Sequence, residues 1–455
     1  AAAAAANAWL LTLSEASPVA MVAIDGYRVF ANFLFLGGAA LTVAIAGGYL
    51  EREGIGRAEF YTLLLFATVG MMVMVGSRDL IVIFLGFETM SIASYVLAGF
   101  HRRDPRSAEA ALKYFLLGAF ASAFLLYGIA LVFGAAGTTN LGLIRLSVGP
   151  DAPLGLLWIA ALVLVGVGFA FKVAAVPFHM WAPDVYEGAP TPVTAYMAAV
   201  VKAAGFAAFV RIFAVGFGDL HASWVDAVRV LAIATMIWPN LVALRQTNVK
   251  RMLAYSSVAH AGYLLVALAA GNRSGMAAFL FYLIAYSAMT IGAFAIVQTL
   301  ARRGDRRQDL SDYAGLGWSR PWPAALLALF LVSLAGFPPT GGFVAKVYVF
   351  RAAVEAGLSD LAVVLAITTV ISYGYYLRVI VEMYMRGEET RAAPAAAETD
   401  GFGRALSGAL AVCAAVILWT GLLPARPLAW ADRSVAPLLE PMPELGAAGP
   451  EERTP

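Results

Sequence analysis

Runs of eighteen or more mostly apolar residues recur along nearly the whole chain, and such a pattern leaves few ways to fold. Inside hydrocarbon every backbone N–H and C=O must be bonded within the protein, so only helices and closed barrels can span. A barrel would show short alternating segments, and this sequence has none. The reading is therefore an all-α polytopic membrane protein. Twelve spans are expected, at 29–50, 59–76, 79–100, 107–133, 154–180, 191–214, 224–244, 252–270, 275–300, 321–356, 361–386 and 404–424. Two of them, 154–180 and 321–356, are too long for one straight helix and contain prolines, so both are read as broken.

The connections alternate in charge. One set (51–58, 101–106, 181–190, 245–251, 301–320, 386–404) carries sixteen Lys and Arg, and the other (77–78, 134–152, 215–223, 271–274, 357–360) carries three. The positive-inside rule puts the first set in the cytoplasm and the C-terminal tail outside. Taken in fives, the spans repeat. The unit at 59–214 and the unit at 224–386 each have a long, proline-broken fourth member with a lysine, Lys172 before Pro177 and Lys346 after Pro338-Pro339. Each also has one ionisable residue near the middle of its second member, Glu88 and His260. Five is odd, so the second unit enters from the opposite side, as in inverted repeats with broken helices at mid-membrane. Around them lie an N-terminal segment (1–28), a peripheral helix and loop (29–58), a last helix (404–424) and a loosely ordered polar tail (425–455). The opening Ala1 to Ala6 run has no charged n-region and does not read as a signal peptide.

Composition excludes several functions. Only 13% of residues are charged, about half the share in a soluble domain. A single cysteine, Cys413, allows neither an internal disulfide nor a cysteine-held cluster, and the four histidines have no metal-ligand spacing. A net charge of +2 gives no sign of a nucleic-acid partner. No phosphate-cradling loop, dinucleotide fingerprint, haem ligand pair or nucleophile triad occurs, so no cofactor is expected in this chain.

The chemistry lies in the lysines. There are five, and Lys113, Lys172, Lys202 and Lys346 sit in apolar stretches, whereas Lys250 sits in a polar connection. Arginines crowd instead into polar breaks such as His101-Arg102-Arg103-Asp104-Pro105-Arg106. Arg stays protonated, but a desolvated Lys can lose its proton. Each ionisable group at the bilayer centre costs roughly 2.5–3.5 kcal/mol, which Glu88, Lys172, Lys202, His260 and Lys346 must justify. A carboxylate at ~4 Å with an effective dielectric of ~20 contributes about 4 kcal/mol to holding an ammonium. Moving Glu88 towards or away from Lys172 would thus switch that lysine between holding and releasing a proton. His260 suits a relay or a satisfied core position. Lys113, four residues after Glu109, suits either the path or a snorkelling pair. His179, near Asp184 and Glu187, suits a water-filled inlet or a loop anchor. Gly166-Val167-Gly168 reads as close helix packing.

Several of these segments resemble a known family. Val176-Pro177-Phe178-His179-Met180-Trp181-Ala182-Pro183-Asp184-Val185-Tyr186, with Glu187-Gly188-Ala189-Pro190-Thr191-Pro192 after it, resembles the broken-helix motif of the antiporter-like subunits of respiratory complex I. So do Glu109-Ala110-Ala111-Leu112-Lys113-Tyr114-Phe115, Lys250-Arg251-Met252-Leu253-Ala254-Tyr255-Ser256-Ser257, and Gly336-Phe337-Pro338-Pro339-Thr340-Gly341-Gly342-Phe343 leading to Lys346. The resemblance covers roughly residues 24–424 and is strongest to the subunit N branch, because a lysine stands at 346 and no long lateral helix follows 424. It implies fourteen helices with two inverted five-helix repeats, and the two helices expected before 29–50 are either missing from this chain or not represented in the sequence given. It also implies that Glu88 and Lys172 form the switching pair, Lys202 connects, His260 relays, Lys346 lies on the outlet side, and Lys113 matches a family lysine. The expected activity is proton translocation driven by quinone reduction elsewhere in NADH:quinone oxidoreductase. Flavin, iron–sulfur clusters and quinone would reside in partner subunits, other membrane-arm and antiporter-like subunits would be neighbours, and the location would be a bacterial inner membrane. The alternatives are a subunit of a multi-subunit cation/proton antiporter and a purely structural scaffold.

Overall fold

The structure, a computed structural model, describes residues 1–13, 20–148, 155–301, 303–305, 308–386 and 402–439. Among the described residues every extended element is a helix. We label α1 (Ala2–Trp9), α2 (Gly26–Glu53), α3 (Ala58–Val75), α4 (Leu80–Ala98), α5 (Pro105–Ala136), α6 (Leu141–Ser147), α7 (Leu156–Lys172), α8 (Trp181–Gly188) and α9 (Thr191–Gly216). There follow α10 (His221–Ala243), α11 (Val249–Ala270), α12 (Arg273–Leu300), α13 (Pro321–Ala335), α14 (Gly341–Glu355), α15 (Ser359–Met385), α16 (Arg404–Leu422) and α17 (Ala425–Leu439). Among the described residues ten helices are long and apolar enough to span, and two shorter apolar ones, α7 and α13, end at breaks. The ten long helices match ten of the segments read from the sequence to within a few residues, and the other two, 154–180 and 321–356, are the broken pairs that begin with α7 and α13 and resume as α8 and α14.

Local chemistry sets those ends. Asp25, Asp79, Asp104, Asn248 and Asn272 cap α2, α4, α5, α11 and α12 through side-chain oxygens that accept from first-turn amides. The two breaks also have local causes. Lys172 ends α7, and Ala174 takes a φ of 60 before α8 begins at Trp181. Gly336 ends α13 at a φ of 89, a conformation a side chain would resist. Pro338 and Pro339 then keep the helix from resuming before Gly341.

The two sets of five are α3, α4, α5, α7–α8, α9 and α10, α11, α12, α13–α14, α15. Each starts its second helix with the same device. Leu80 N donates to Thr139 O (2.9 Å) and Leu141 N to Arg78 O (2.7 Å). In the second set Val249 N donates to Gln308 O and Leu310 N to Thr247 O, both at 2.7 Å. The segment after the third helix therefore pairs with the residues before the second in both sets, at Asp79–Asn140 and Asn248–Asp309.

The centre is made by α9, α11 and α12, whose apolar windows are each 94% buried, against 28–56% for the other long spans. The rest present apolar residues outward, as a bilayer allows. Close approach relies on missing side chains. A Cβ on Gly70 would lie 2.5 Å from Met90 N, and one on Gly86 2.6 Å from Met74 N, which locks α3 to α4. Of the Gly166-Val167-Gly168 patch, Gly168 packs tightly, 2.6 Å from Leu125 Cβ, whereas Gly166 meets only Phe213 at 3.9 Å.

One expectation is corrected at the C-terminal end of the chain. Residues 425–455 were expected as a polar tail, yet 425–439 form α17. Ala431, Val435 and Leu438 recur at helical spacing on its buried side, Trp430 packs on Phe30 with ring centres 4.3 Å apart, and Arg273 pairs with Asp432 at 2.7 Å. Its mean polarity hid an amphipathic pattern. Residues 440–455 lie outside the described residues. The alanine run forms helix α1, docked by Asn7, which donates to Val29 O (2.9 Å) and accepts from Asn32 Nδ2 (2.9 Å).

Candidate proton path

Lys172, Lys202, His260 and Lys346 are all buried, and their neighbours join them in one line through the centre. At one end, α4 presents Glu88 and Ser91 three residues apart on the same side. Glu88 accepts a short hydrogen bond from the Ser122 hydroxyl on α5. Lys172 Nζ donates to Ser91 Oγ (2.8 Å) and Tyr114 OH (3.4 Å) and lies over the rings of Phe87, Tyr95 and Tyr114 at 5.1–6.0 Å. Tyr114 is itself held by stacking on Trp181, 4.5 Å between centres. Among the described residues Glu88 and Lys172 form no ion pair within 4.0 Å. They sit on facing helices, each engaged by a different serine.

The line continues on α9. A Cβ on Gly205 would come within 3.1 Å of Lys172 Cγ, so the Lys172 stem rests directly on the helix that carries Lys202 one turn earlier. A π-helical stretch, Met197–Val201, immediately precedes Lys202. Lys202 Nζ donates to Ser257 O (2.7 Å) and, in a short contact, to Ser257 Oγ, with the Tyr186 ring 5.8 Å away. This bond joins α9 of the first set to α11 of the second. One turn after Ser257 stands His260, with Nδ1 2.6 Å from Tyr282 OH and Nε2 3.2 Å from Tyr376 OH. Tyr376 shares a short hydrogen bond with Ser256. Tyr263 then lies between His260 (5.4 Å, edge-on) and Lys346, whose Nζ is 4.9 Å over its ring. Lys346 donates to Leu334 O (3.1 Å) and Ala335 O (2.8 Å), carbonyls left free where α13 stops. The break thus supplies acceptors for the amine and a favourable dipole end.

Lys113 is not part of that line. Its half-exposed side chain pairs with Glu109 and Asp184, both at 2.7 Å. Arg251 completes the cluster, 2.9 Å from Asp184 and 2.6 Å from Glu187. Burial raises the Asp184 carboxyl, but hydrogen bonds from Lys113 and Arg251 and their charges hold it below the usual carboxylate range. Among the described residues His179 pairs with neither Asp184 nor Glu187, and its buried Nδ1 makes no hydrogen bond.

Sequence reasoning misread Lys250. Although it follows the polar run Gln246-Thr247-Asn248, its side chain is fully buried. Its Nζ donates to Ala189 O (2.7 Å) and Asp305 Oδ2 (3.1 Å). Burial raises the Asp305 carboxyl, yet the Lys250 charge and hydrogen bonds from Thr191, Lys250 and Tyr49 bring it below its ordinary value. Sequence reasoning also missed the hydroxyls of Ser91, Tyr114, Ser257, Tyr282 and Tyr376, which hold the path residues. The only signal for them was that polar hydroxyls recur inside apolar spans.

Two five-helix sets with broken fourth helices, crossed by a buried line of basic side chains and hydroxyls, define the class of antiporter-like membrane subunits. Comparison with known proteins agrees. The family described as "NADH:quinone oxidoreductase/Mrp antiporter, TM" matches residues 77–372. NADH-quinone oxidoreductase subunit N of Trichlorobacter lovleyi is 47% identical over 436 residues, covering 95% of this chain and 88% of that protein. Subunit N 1 of Sorangium cellulosum is 47% identical over 424 residues, 90% of this chain and 83% of the other. A chain of respiratory complex I from Thermus thermophilus, solved with bound aureothin, superposes with a TM-score of 0.76 at 36% identity, covering 94% of this chain and 92% of that one. A chain of the Mrp complex from Dietzia sp. shares the fold alone, at TM-score 0.84 and 24% identity over 97% and 90% of the two chains. The chain belongs to the NADH-quinone oxidoreductase subunit N family.

Proposed function

We propose that this chain moves protons across a bacterial inner membrane as an antiporter-like, translocating subunit of NADH:quinone oxidoreductase, along Glu88, Lys172, Lys202, His260 and Lys346. The observation that supports this most strongly is the Lys202–Ser257 bond, which links the buried groups of one five-helix set to those of the other. The chain has no redox centre of its own in this reading. Flavin, iron–sulfur clusters and quinone belong to partner subunits, and neighbouring membrane-arm subunits deliver the driving signal. The segment after α16 lies on the periplasmic side, in accord with the charge asymmetry of the connections. The energies are commensurate. One proton moved against ~100 mV requires about 2.3 kcal/mol, within the ~4 kcal/mol that a carboxylate at ~4 Å exerts on an ammonium.

The test is the assembled complex in sealed liposomes, with quinone reduction and internal acidification followed together. Lys202→Met should assemble and lose at least half of the protons moved per quinone reduced. An assembled Lys202→Met complex with an undiminished ratio would sink the path. Sodium-dependent pH responses without NADH oxidation would point instead to cation/proton exchange.

A further inference from the structure

The Lys250–Asp305 pair lies outside the line of path residues but touches the helices that carry it. Asp305, in the left-handed region at φ 49, sits in the segment after α12. Its Oδ2 accepts from Lys250 at the start of α11, from Thr191 Oγ1 (2.8 Å) at the start of α9, and from Tyr49 OH (3.0 Å) on α2. Arg52 lies 3.8 Å from its other oxygen. The flanking backbone is bound as firmly. Gly304 N donates to Glu53 (2.7 Å) and Gly304 O accepts from Arg106 at the start of α5 (2.7 Å). Lys250 also donates to Ala189 O, two residues before α9.

The consequence is geometric. Within α9 the stretch from Thr191 leads to Lys202, and within α11 the stretch from Lys250 leads to Ser257. The two helices meet again where Lys202 donates to Ser257 O at 2.7 Å. One meeting point is a buried ion pair with a hydroxyl and a carbonyl, and the other is the step that joins the two halves of the path. Between them α9 has a π-helical stretch, a place where register can change. We propose that Lys250 and Asp305 form a clasp between the two five-helix sets that fixes the register of α9 against α11, and so positions Lys202 on Ser257. Lys250 is a positioning residue here and carries no transported proton, because Asp305 and Ala189 O hold its amine and, among the described residues, no path residue is a partner of it.

This inference rests on Lys202 being in the proton path. In the assembled complex in liposomes, Lys250→Met should lower protons moved per quinone reduced at least twofold. It should also speed amide hydrogen exchange at least tenfold across 197–203 and 255–260, far from the altered side chain. Asp305→Asn and Thr191→Val remove less of the clasp and should give the same pattern, weaker. They decide the matter if Lys250→Met does not assemble. An unchanged pumping ratio in assembled variants overturns the clasp, and so does a lowered ratio with unchanged exchange, which would make Lys250 a proton carrier. Lys202→Met is the control. It should lose at least half of the protons moved per quinone reduced while exchange near 250 and 305 stays as in the parent. If Lys202→Met pumps normally, the path reading has failed and the clasp falls with it.

Discussion

Gly205→Val tests the step between the first two buried lysines without touching an ionisable group. The added Cβ alone would lie 3.1 Å from Lys172 Cγ, and the two methyl groups beyond it need space that the Lys172 stem occupies. The stem must swing by roughly 1 Å, and the 2.8 Å bond from Nζ to Ser91 Oγ then stretches past ~3.5 Å, where a hydrogen bond is lost. A hydrogen bond to a charged group contributes about 1.5–3 kcal/mol. At 1.36 kcal/mol per factor of ten, proton transfer through Lys172 should slow by about 10- to 150-fold. Overpacking of ~1–3 kcal/mol accompanies the change, so assembly is checked first, and Gly48→Val, with nothing within 4 Å of its Cβ direction, controls for a helical valine without crowding. The assay is acidification of sealed liposomes against quinone reduction. Normal pumping by an assembled Gly205→Val complex would refute the placement of Lys172 against α9 as a working contact.

Two further outcomes follow from ion pairs outside the path. Arg211, fully buried, holds Asp25 through two bonds of 2.8 Å, and Arg78 is 3.9 Å away. Arg211→Met should cost about 3 kcal/mol, the lower end for a buried pair that loses one partner because Arg78 compensates in part. Adding Asp25→Asn should recover more than half of this in unfolding of the solubilised complex. For pH, both Asp184 and Asp305 have carboxyls lowered from the ordinary 3.8. A carboxyl lowered on folding adds stability that is complete above its unfolded value and is lost as pH falls through the folded one. Melting temperature should therefore drop more gently below about pH 4 in Asp305→Asn than in the parent, and an equal slope would contradict the assignment.

The spans were legible because the bilayer imposes one rule on every residue in them, and that rule is composition. The repeat was legible because proline and lysine recur at the breaks. What lay beyond sequence was direction. Tyr114 and Tyr127 share α5 and look alike in the chain, yet Tyr114 is fully buried beside Lys172 while Tyr127 is 60% exposed. Pairing Glu88 with Lys172 followed from the energetics of charge, but each side chain found a serine on a facing helix, which no spacing encodes. Lys250 was hidden by its polar neighbours, and its burial depends on a carboxylate fifty-five residues further on. The C-terminal helix was missed because average polarity outweighed a three- and four-residue apolar rhythm in α17.

The buried cations divide by what faces them. Arg211 and Lys250 each have a carboxylate within hydrogen-bond reach, Asp25 and Asp305. Lys172, Lys202 and Lys346 have hydroxyls, backbone carbonyls and aromatic faces, and among the described residues no carboxylate within 4.0 Å. A carboxylate partner holds a cation permanently, since removing the proton would strand the buried anion. Hydroxyls and carbonyls stabilise an ammonium and tolerate a neutral amine at moderate cost, because each keeps other bonds. The first arrangement suits an anchor and the second a group whose charge must come and go. The division follows position as well as chemistry. The anchors stand at helix ends, where α2, α9 and α11 are tied to neighbouring segments. The amines without a carboxylate partner stand at or between the breaks. A carboxylate introduced beside Lys202, as in Ser257→Asp, should therefore turn an exchangeable amine into an anchor. The complex should assemble and reduce quinone with pumping largely lost, and normal pumping would remove the distinction.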